Sequence, residues 1–395
     1  MPAKFLPFSR AEYARRLAKV RKAMAERDIH VLFVEDPSNM AWITGYDGWS
    51  FYVHQGVIVF HDEDPLWWGR SQDANGALRT VWMGDERVAA YADHYVQSTV
   101  RHPMQTLAAL LRERGYGSDR IGVELENYYF SAKAYLTLQA EMPEASFVDA
   151  TALVNWQRAV KSAEEIAFMR KAARISEKVI DGIVERAEPG LRKVDLVADI
   201  YADAIRGVGE DWGDYPAIVP LLPSGADAAA PHLTWDGRPL AAGEATFFEI
   251  SGCYRRYHAP FCRTVFLGEP PQYLRDAESA LVEGLGLGLE AARAGNRAQD
   301  VARALAGPLE RAGIDRAGAR AGYPIGLSYP PDWGERTISI RDGDETVLEP
   351  GMTFHFMPGL WMDNWGLEIT ESILIQEHGP AECLCDRPRQ LIVKR

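Results

Sequence analysis

Glu249 closes the apolar run Thr246-Phe247-Phe248, which reads as a strand. A solvated charge is out of place at the end of a buried strand. A carboxylate there can attack an electron-poor carbon or activate water. His232 follows Pro231. An imidazole at that point can move a proton as general acid or base, or sit hydrogen-bonded in a turn. Tyr323, within Gly322-Tyr-Pro-Ile-Gly326, is a hydrogen-bond donor to a ligand or a buried tyrosine with one partner. His258, in Arg255-Arg-Tyr-His-Ala-Pro260, either touches a ligand or supports its loop. Glu368 and Glu371 stand three apart on an expected strand, so they point to opposite faces and at most one reaches a pocket. Trp49, Phe51, Tyr52, Trp333, Trp361 and Trp365 fall in glycine-rich or loop-like segments. Such rings hold a flat cation or pack a core. Arg263 and Arg336 are candidates to bind a carboxylate. A structural role stays open for Arg263 and a plain surface charge for Arg336.

Elements must hold these residues in place. Ser9-Arg-Ala-Glu12 is a capping box and predicts a helix to about Arg27. HVLFV and GVIVF read as buried strands, PMQTLAALLRERG as a helix stopped at Gly115, RIGVEL as a strand and SAKAYLTLQAEM as a helical stretch. Strands alternating with helices predict an α/β layer over residues 1–155. Ser162-Ala-Glu-Glu165 is a second capping box and opens a long amphipathic helix that ends near Gly190. A helix at 193–206 follows, then strands with TFFEIS and TVFLG. Helices over 272–294 and 297–313 come next, then strands with TFHFMPG and LEITESILI. The order helix, helix, strands occurs twice, an internal pseudo-repeat. The expected organisation is two domains, 1–155 and 156–395.

Composition narrows the function classes. The chain has 395 residues with a hydrophobic fraction of 47%, ordinary for a globular protein. Its net charge of −13 argues against a general nucleic-acid or anionic-membrane binder. Four cysteines, Cys253, Cys262, Cys383 and Cys385, do not make a disulfide scaffold, and Cys383-Leu-Cys385 lacks zinc spacing. The N-terminal residues show no signal-peptide pattern and no apolar run is long enough to span a bilayer, so the expected location is the cytoplasm.

Four segments carry a family resemblance. Val160-Lys-Ser-Ala-Glu-Glu165 with Met169-Arg-Lys-Ala-Ala173 resembles the helix that opens the pita-bread domain of the creatinase, prolidase and methionine aminopeptidase family. Pro231-His232 matches the position of that family's first catalytic-domain histidine. Glu249-Ile-Ser-Gly252 through Arg263-Thr264 resembles the segment with two metal-binding aspartates, and Leu348-Glu-Pro-Gly-Met352 through Pro358-Gly359 the segment before a metal-binding glutamate. The resemblance implies a pita-bread C-terminal domain behind a smaller α/β N-terminal domain. It also implies a homodimer in which residues 45–55 reach a neighbouring subunit's site. The metal positions depart from the pattern: they hold Glu249, Pro260, Tyr323, Met357 and Thr370. Proline and methionine side chains supply no hard oxygen ligand, so the expectation is no catalytic metal and no cofactor.

Three stretches, Asn39–Tyr52, Glu249–Pro260 and Pro358–Glu371, are similar to the ectoine hydrolases, a metal-free branch of this family. That resemblance implies opening of a cyclic amidine ring to N-acetyl-2,4-diaminobutyrate, the α-acetyl isomer. Ectoine is the expected substrate, hydroxyectoine a second one, and a downstream deacetylase the metabolic partner. Glu249 becomes nucleophile or base, His232 general acid or base, and Tyr323 a third catalytic group. Substrate contacts are expected from Trp49, Phe51, Tyr52, His258, Arg263, Trp333, Asp363 (to a ring N–H), Trp365 and Glu368. Three readings stay open beside this one: a creatinase-like amidinohydrolase, a metal-dependent Xaa-Pro peptidase, and a non-catalytic binding protein of the same fold.

Overall fold

The computed structural model describes residues 6–395, and the chain divides into two compact units at Gln157 and Arg158. The first unit carries α1 (Arg10–Glu26), β1 (Val31–Val34), α2 (Pro37–Thr44), β2 (Gly56–Phe60), β3 (Leu66–Arg70), α3 (Ser71–Thr80), β4 (Val88–Tyr91), α4 (Pro103–Glu113), β5 (Arg120–Val123), α5 (Ala132–Glu141) and β6 (Ser146–Asp149). Short α6 (Leu153–Arg158) lies at the boundary. The strands form one mixed sheet in the order β4-β3-β2-β1-β5-β6. β1 is central and fully buried, as a near-continuous apolar strand requires. Ser9 caps α1 by accepting from Glu12 N, while the Glu12 carboxylate turns to Arg15 and Arg16.

The second unit opens with α7 (Ala163–Arg186) and α8 (Lys193–Arg206). The Ser162 box is fully formed: Ser162 Oγ accepts from Glu165 N, and the Glu165 carboxylate accepts from Ser162 N. β7 (Ala245–Tyr254) and β8 (Tyr257–Leu267) then make a long antiparallel ribbon with Glu249 opposite Cys262. α9 (Gln272–Ala291), α10 (Ala298–Arg311) and β9 (Gly322–Pro324) come next. They are followed by β10 (Thr353–Phe356), β11 (Leu360–Trp361), β12 (Gly366–Leu367), β13 (Glu371–Leu374), β14 (Glu382–Cys383) and β15 (Ile392–Lys394). Helix pair and strands therefore appear twice, as the pseudo-repeat predicts. One sheet runs β15-β8-β7, another β14-β13-β10-β9, and β11-β12 is a separate hairpin.

Side-chain alternation decides what the ribbon offers. Phe248, Ile250, Tyr254, Ala259, Phe261 and Val265 share a core with Ala172, Ile175 and Val179 of α7. The alternate residues, Phe247, Glu249 and Ser251 with Cys262 and Thr264, therefore face away from α7. β10 does the same: Phe354 and Phe356 join the core with Leu281 and Leu285 of α9, and His355 faces the other way. Among the described residues no helix is long and apolar enough to cross a membrane.

Gly252 lets α7 lie close on the ribbon. A Cβ there would run into the Ala172 carbonyl oxygen and stand 2.6 Å from Ser176 N. Gly252→Ala is expected to lower unfolding free energy by roughly 1–3 kcal/mol, the usual cost of overpacking, read as an earlier midpoint in denaturant. An unchanged midpoint refutes this close approach.

Candidate active site

Glu249, on the face of β7 turned from α7, is 5% exposed. Its backbone N–H and C=O both bond Leu221, at 3.0 Å each, so the strand is held on both edges. Burial raises its carboxyl pKa to about 7. Glu368 comes from the segment after β12. Its main chain is fixed to β8 by Thr264, whose hydroxyl donates to Glu368 O at 2.8 Å and accepts from Glu368 N at 2.9 Å. The Glu368 side chain is fully buried, and neither carboxylate oxygen meets a donor in hydrogen-bond geometry. Burial, and then the nearby Glu249 charge, push its pKa well above the carboxylate range. The Cys262 thiol, which donates to Glu368 O at 3.7 Å, is itself pushed well up by burial and by both carboxyls.

His355 makes the third side of the cluster. Its Nδ1 stands 3.8 Å from Glu249 Oε1, 2.9 Å from the Tyr323 hydroxyl, and its Nε2 is 2.8 Å from Thr370 Oγ1. Trp333 Nε1 donates to the Tyr323 hydroxyl at 2.7 Å. An indole N–H only donates, so Tyr323 accepts from Trp333 and its own hydrogen is left for His355 Nδ1. His355 Nε2 then carries the ring proton and gives it to Thr370, an assignment made from the network. Burial, with Arg320 adding to it, lowers the His355 pKa to about 3, so the ring is neutral.

The loop that delivers Trp333 is braced. Ser328 Oγ donates to Trp333 O at 3.0 Å, Glu335 N donates to Pro324 O at 2.8 Å, and the buried Glu335 carboxylate meets Lys161 Nζ at 2.6 Å.

The structure sorts the residues singled out by sequence. Glu249, Tyr323 and Glu368 lie in one buried cluster with Trp333, whose ring is fully buried and reaches the site through Tyr323. Glu371 points elsewhere, to Arg263. Arg263 is a correction: it cannot bind a substrate carboxylate. Nε donates to Pro388 O, Nη1 to Cys262 O and Thr370 O, and Nη2 to Glu371 Oε1 and Arg387 O. All five N–H groups of the guanidinium are thereby used.

His232 lies exposed in a turn after a short 3-10 segment (Gly225–Ala229), and makes no hydrogen bond or ion pair among the described residues. The structure does not bring it to Glu249. His258 is buried and neutral, its pKa lowered to about 3 by burial, and its Nε2 accepts from Ala217 N at 2.9 Å. Asp363 is exposed in the turn between β11 and β12, and Trp365 packs at 5.5 Å on Tyr273 of α9. Trp49, Phe51 and Tyr52 belong to the first unit. There the Trp49 and Phe51 rings are 4.9 Å apart, Phe51 meets Tyr129 edge-on, and Trp49 and Tyr52 are 55% and 70% exposed.

The site residue that sequence reasoning missed is His355. Its signal was a lone histidine flanked by Phe354 and Phe356 in an otherwise apolar strand, where alternation sets it apart from the core.

A metal centre has a poor donor set here. The five positions that hold ligands in the resembled peptidases offer one carboxylate, Glu249. Pro260 contributes only its carbonyl, which already accepts from Ser372 Oγ at 2.7 Å. The Tyr323 and Thr370 hydroxyls are engaged with His355. Among the described residues no group of three or more His, Cys, Asp or Glu side chains is arranged to hold a metal ion. The residues present do not fit a two-metal site.

Residues 16–160 match the creatinase/prolidase N-terminal domain, and residues 167–377 match metallopeptidase family M24. A protein of Halomonas elongata named ectoine hydrolase is 60% identical over 98% of this chain and 99% of its own. An uncharacterized hydrolase/peptidase of Sinorhizobium fredii is 42% identical over 99% of this chain and 100% of its own. Prolidase from Thermococcus sibiricus superposes with a TM-score of 0.83 at 19% identity, covering 97% of this chain and 99% of that one. That likeness shows the fold alone, and it is the pita-bread fold that the sequence resemblance implies. The chain belongs to metallopeptidase family M24, in the branch that carries a creatinase/prolidase N-terminal domain.

Proposed function

We propose that this protein hydrolyses ectoine without a metal, opening the cyclic amidine to N-acetyl-2,4-diaminobutyrate with the acetyl group on the α nitrogen. The observation that carries this reading is the 60% identity, across nearly the whole chain, to the Halomonas elongata protein of that name. The reaction class is hydrolysis of a carbon–nitrogen bond. An amidinium carbon is already electrophilic, so no Lewis acid is required. Glu249, as carboxylate, takes a proton from the water that adds to that carbon, or adds to it first and is later displaced by water, and in either case the C=N electron pair moves to a ring nitrogen. The C–N bond then breaks, and the nitrogen leaves as an amine only if it receives a proton. We assign that proton to Glu368, which is buried beside Glu249 with both oxygens unbonded. His355, neutral and tied to Tyr323 and Thr370, holds the third wall against Glu249. The exposed Trp49 and Tyr52 support a homodimer in which residues 45–55 reach a neighbouring copy.

The first test is chemical. After dialysis against EDTA, the protein is expected to convert the ring-methyl proton NMR signal of ectoine to an acetyl signal at an undiminished rate. Loss of activity that manganese or cobalt restores would sink the metal-free reading.

Glu249→Gln is expected to bind ectoine and lose turnover by a factor on the order of 10⁴ or more. It should also fold at least as well as the parent at pH 8. The folded carboxyl holds a proton between its ordinary value of 4.5 and about 7, where the unfolded chain releases it. The native state thus binds more protons there, and Glu249 costs stability as pH rises through that window. Near-normal turnover removes Glu249 from the chemistry.

The pH profile tests the pair. Glu249 ionises as pH passes about 7, while Glu368 keeps its proton to higher pH. A plot of kcat/KM is therefore expected to rise through about 7 and fall where both protons are gone, with both limbs belonging to the pair. Glu368→Gln, which donates a hydrogen bond but cannot give up a proton, should lower kcat/KM across the range and remove the falling limb, and His232→Ala should leave both limbs. The reverse pattern moves the proton to His232.

A further inference from the structure

An ectoine-like substrate brings a carboxylate as well as a cation, and the acidic cluster answers only the cation. A buried carboxylate without a partner is costly, so a positive group must lie within reach of the far side of the ring. Arg263 has no N–H left, as shown above. Arg316 is mostly taken: Nε donates to Gly359 O at 3.1 Å, Nη1 to Ala319 O at 3.2 Å and Nη2 to Arg320 O at 3.1 Å and Met357 O at 3.5 Å, and its charge reaches Glu368. Those bonds fold residues 316–320 into a turn, and the turn presents the next arginine. The Arg320 guanidinium lies over the ring of Tyr323, 4.4 Å from its centroid. Its charge reaches both Tyr323 and His355. Among the described residues it makes no ion pair, and no hydrogen bond from its guanidinium. Arg320, Tyr323, His355 and Glu249 thus follow one another by contacts of 4.4, 2.9 and 3.8 Å. Arg320 is itself exposed, so it stands at the outer end of a series that runs inward through Tyr323 and His355 to the buried Glu249.

We propose that Arg320 binds the substrate carboxylate and restricts the site to amidines that carry one. The inference rests on the amidine-hydrolase reading. A guanidinium stacked on an aromatic face keeps its N–H edge free for a carboxylate, which suits arginine better than lysine. Arg320 makes no bond change itself; it is a specificity residue that orients the ring over Glu249.

The test compares two substrates. One is ectoine and the other is 2-methyl-1,4,5,6-tetrahydropyrimidine, the same ring without the carboxylate. Both are followed by NMR with the parent, Arg320→Ala and Arg320→Lys. Arg320→Ala is expected to lower kcat/KM for ectoine by roughly 10–100-fold, the scale of a charge-assisted hydrogen bond. The loss should fall mainly in KM, Arg320→Lys should recover part of it, and the carboxylate-free ring should be turned over equally by all three. An equal loss on both substrates would mean that Arg320 only supports Tyr323, and overturns the proposal, as does an undiminished rate on ectoine. If the parent itself fails to convert ectoine, the amidine-hydrolase reading falls and this inference with it.

Discussion

Two carboxyl groups buried side by side cannot both carry charge at modest cost, and the second unit is organised around such a pair. Glu249 and Glu368 come from segments more than a hundred residues apart, each pinned through its main chain to a neighbour of β7 or β8. Among the described residues no lysine or arginine forms an ion pair with either. The Arg316 charge reaches Glu368 without pairing with it, and the Glu249 charge is left for whatever enters. A delocalised cation satisfies that demand, and a neutral peptide does not. The same burial that delays ionisation of Glu249 keeps a proton on Glu368, so the proposed base and acid draw on one shared environment rather than on two tuned sites.

The walls around the pair are stiff for a different reason. Two buried ion pairs, Arg263 with Glu371 and Lys161 with Glu335, sit outside the cluster of Glu249, Glu368 and His355. Buried pairs are weak evidence of stability, because desolvation offsets much of their attraction. Their value here is geometric. Arg263 ties β8 to the strand segment holding Thr370 and to the C-terminal residues 387–388. Glu335 fixes the loop whose Trp333 orients Tyr323, and Tyr323 in turn fixes the tautomer of His355. A neutral histidine is held against the Glu249 carboxyl, so it does not neutralise a charge that forms there.

Much of this was legible in the chain. The Ser162 box marked the start of α7, and the apolar run before Glu249 placed a carboxylate where water does not reach. The spacing of Glu368 and Glu371 predicted that only one of them serves the pocket. Other features depend on partners that no local pattern contains. Arg263 spends its donors on carbonyls at 370, 387 and 388, and nothing in its own segment signals that. Trp333 looks like a loop aromatic in Pro330-Pro-Asp-Trp-Gly334, yet it is buried and held by bonds from Ser328 and to Tyr323. His355 hid inside a strand that reads as core, and only the opposite orientation of Phe354 and Phe356 separates it. His232 was favoured by family position, and the structure leaves it in solvent. β3, with its two tryptophans, and short α2 lack the periodicity that announces longer elements.

The double anchoring of β7 has a consequence for how the protein loses its site. Glu249 stands in the middle of a ten-residue strand that is paired along its whole length with β8 and bridged at Leu221 and Ser224 on its other edge. Amides in such a strand exchange with solvent only when the surrounding unit opens as a whole. Fraying of the termini or of the hairpin turns leaves the carboxyl aimed as before. The Glu249 amide is therefore expected among the slowest to exchange, and the alignment of its carboxyl lasts as long as the second unit remains folded.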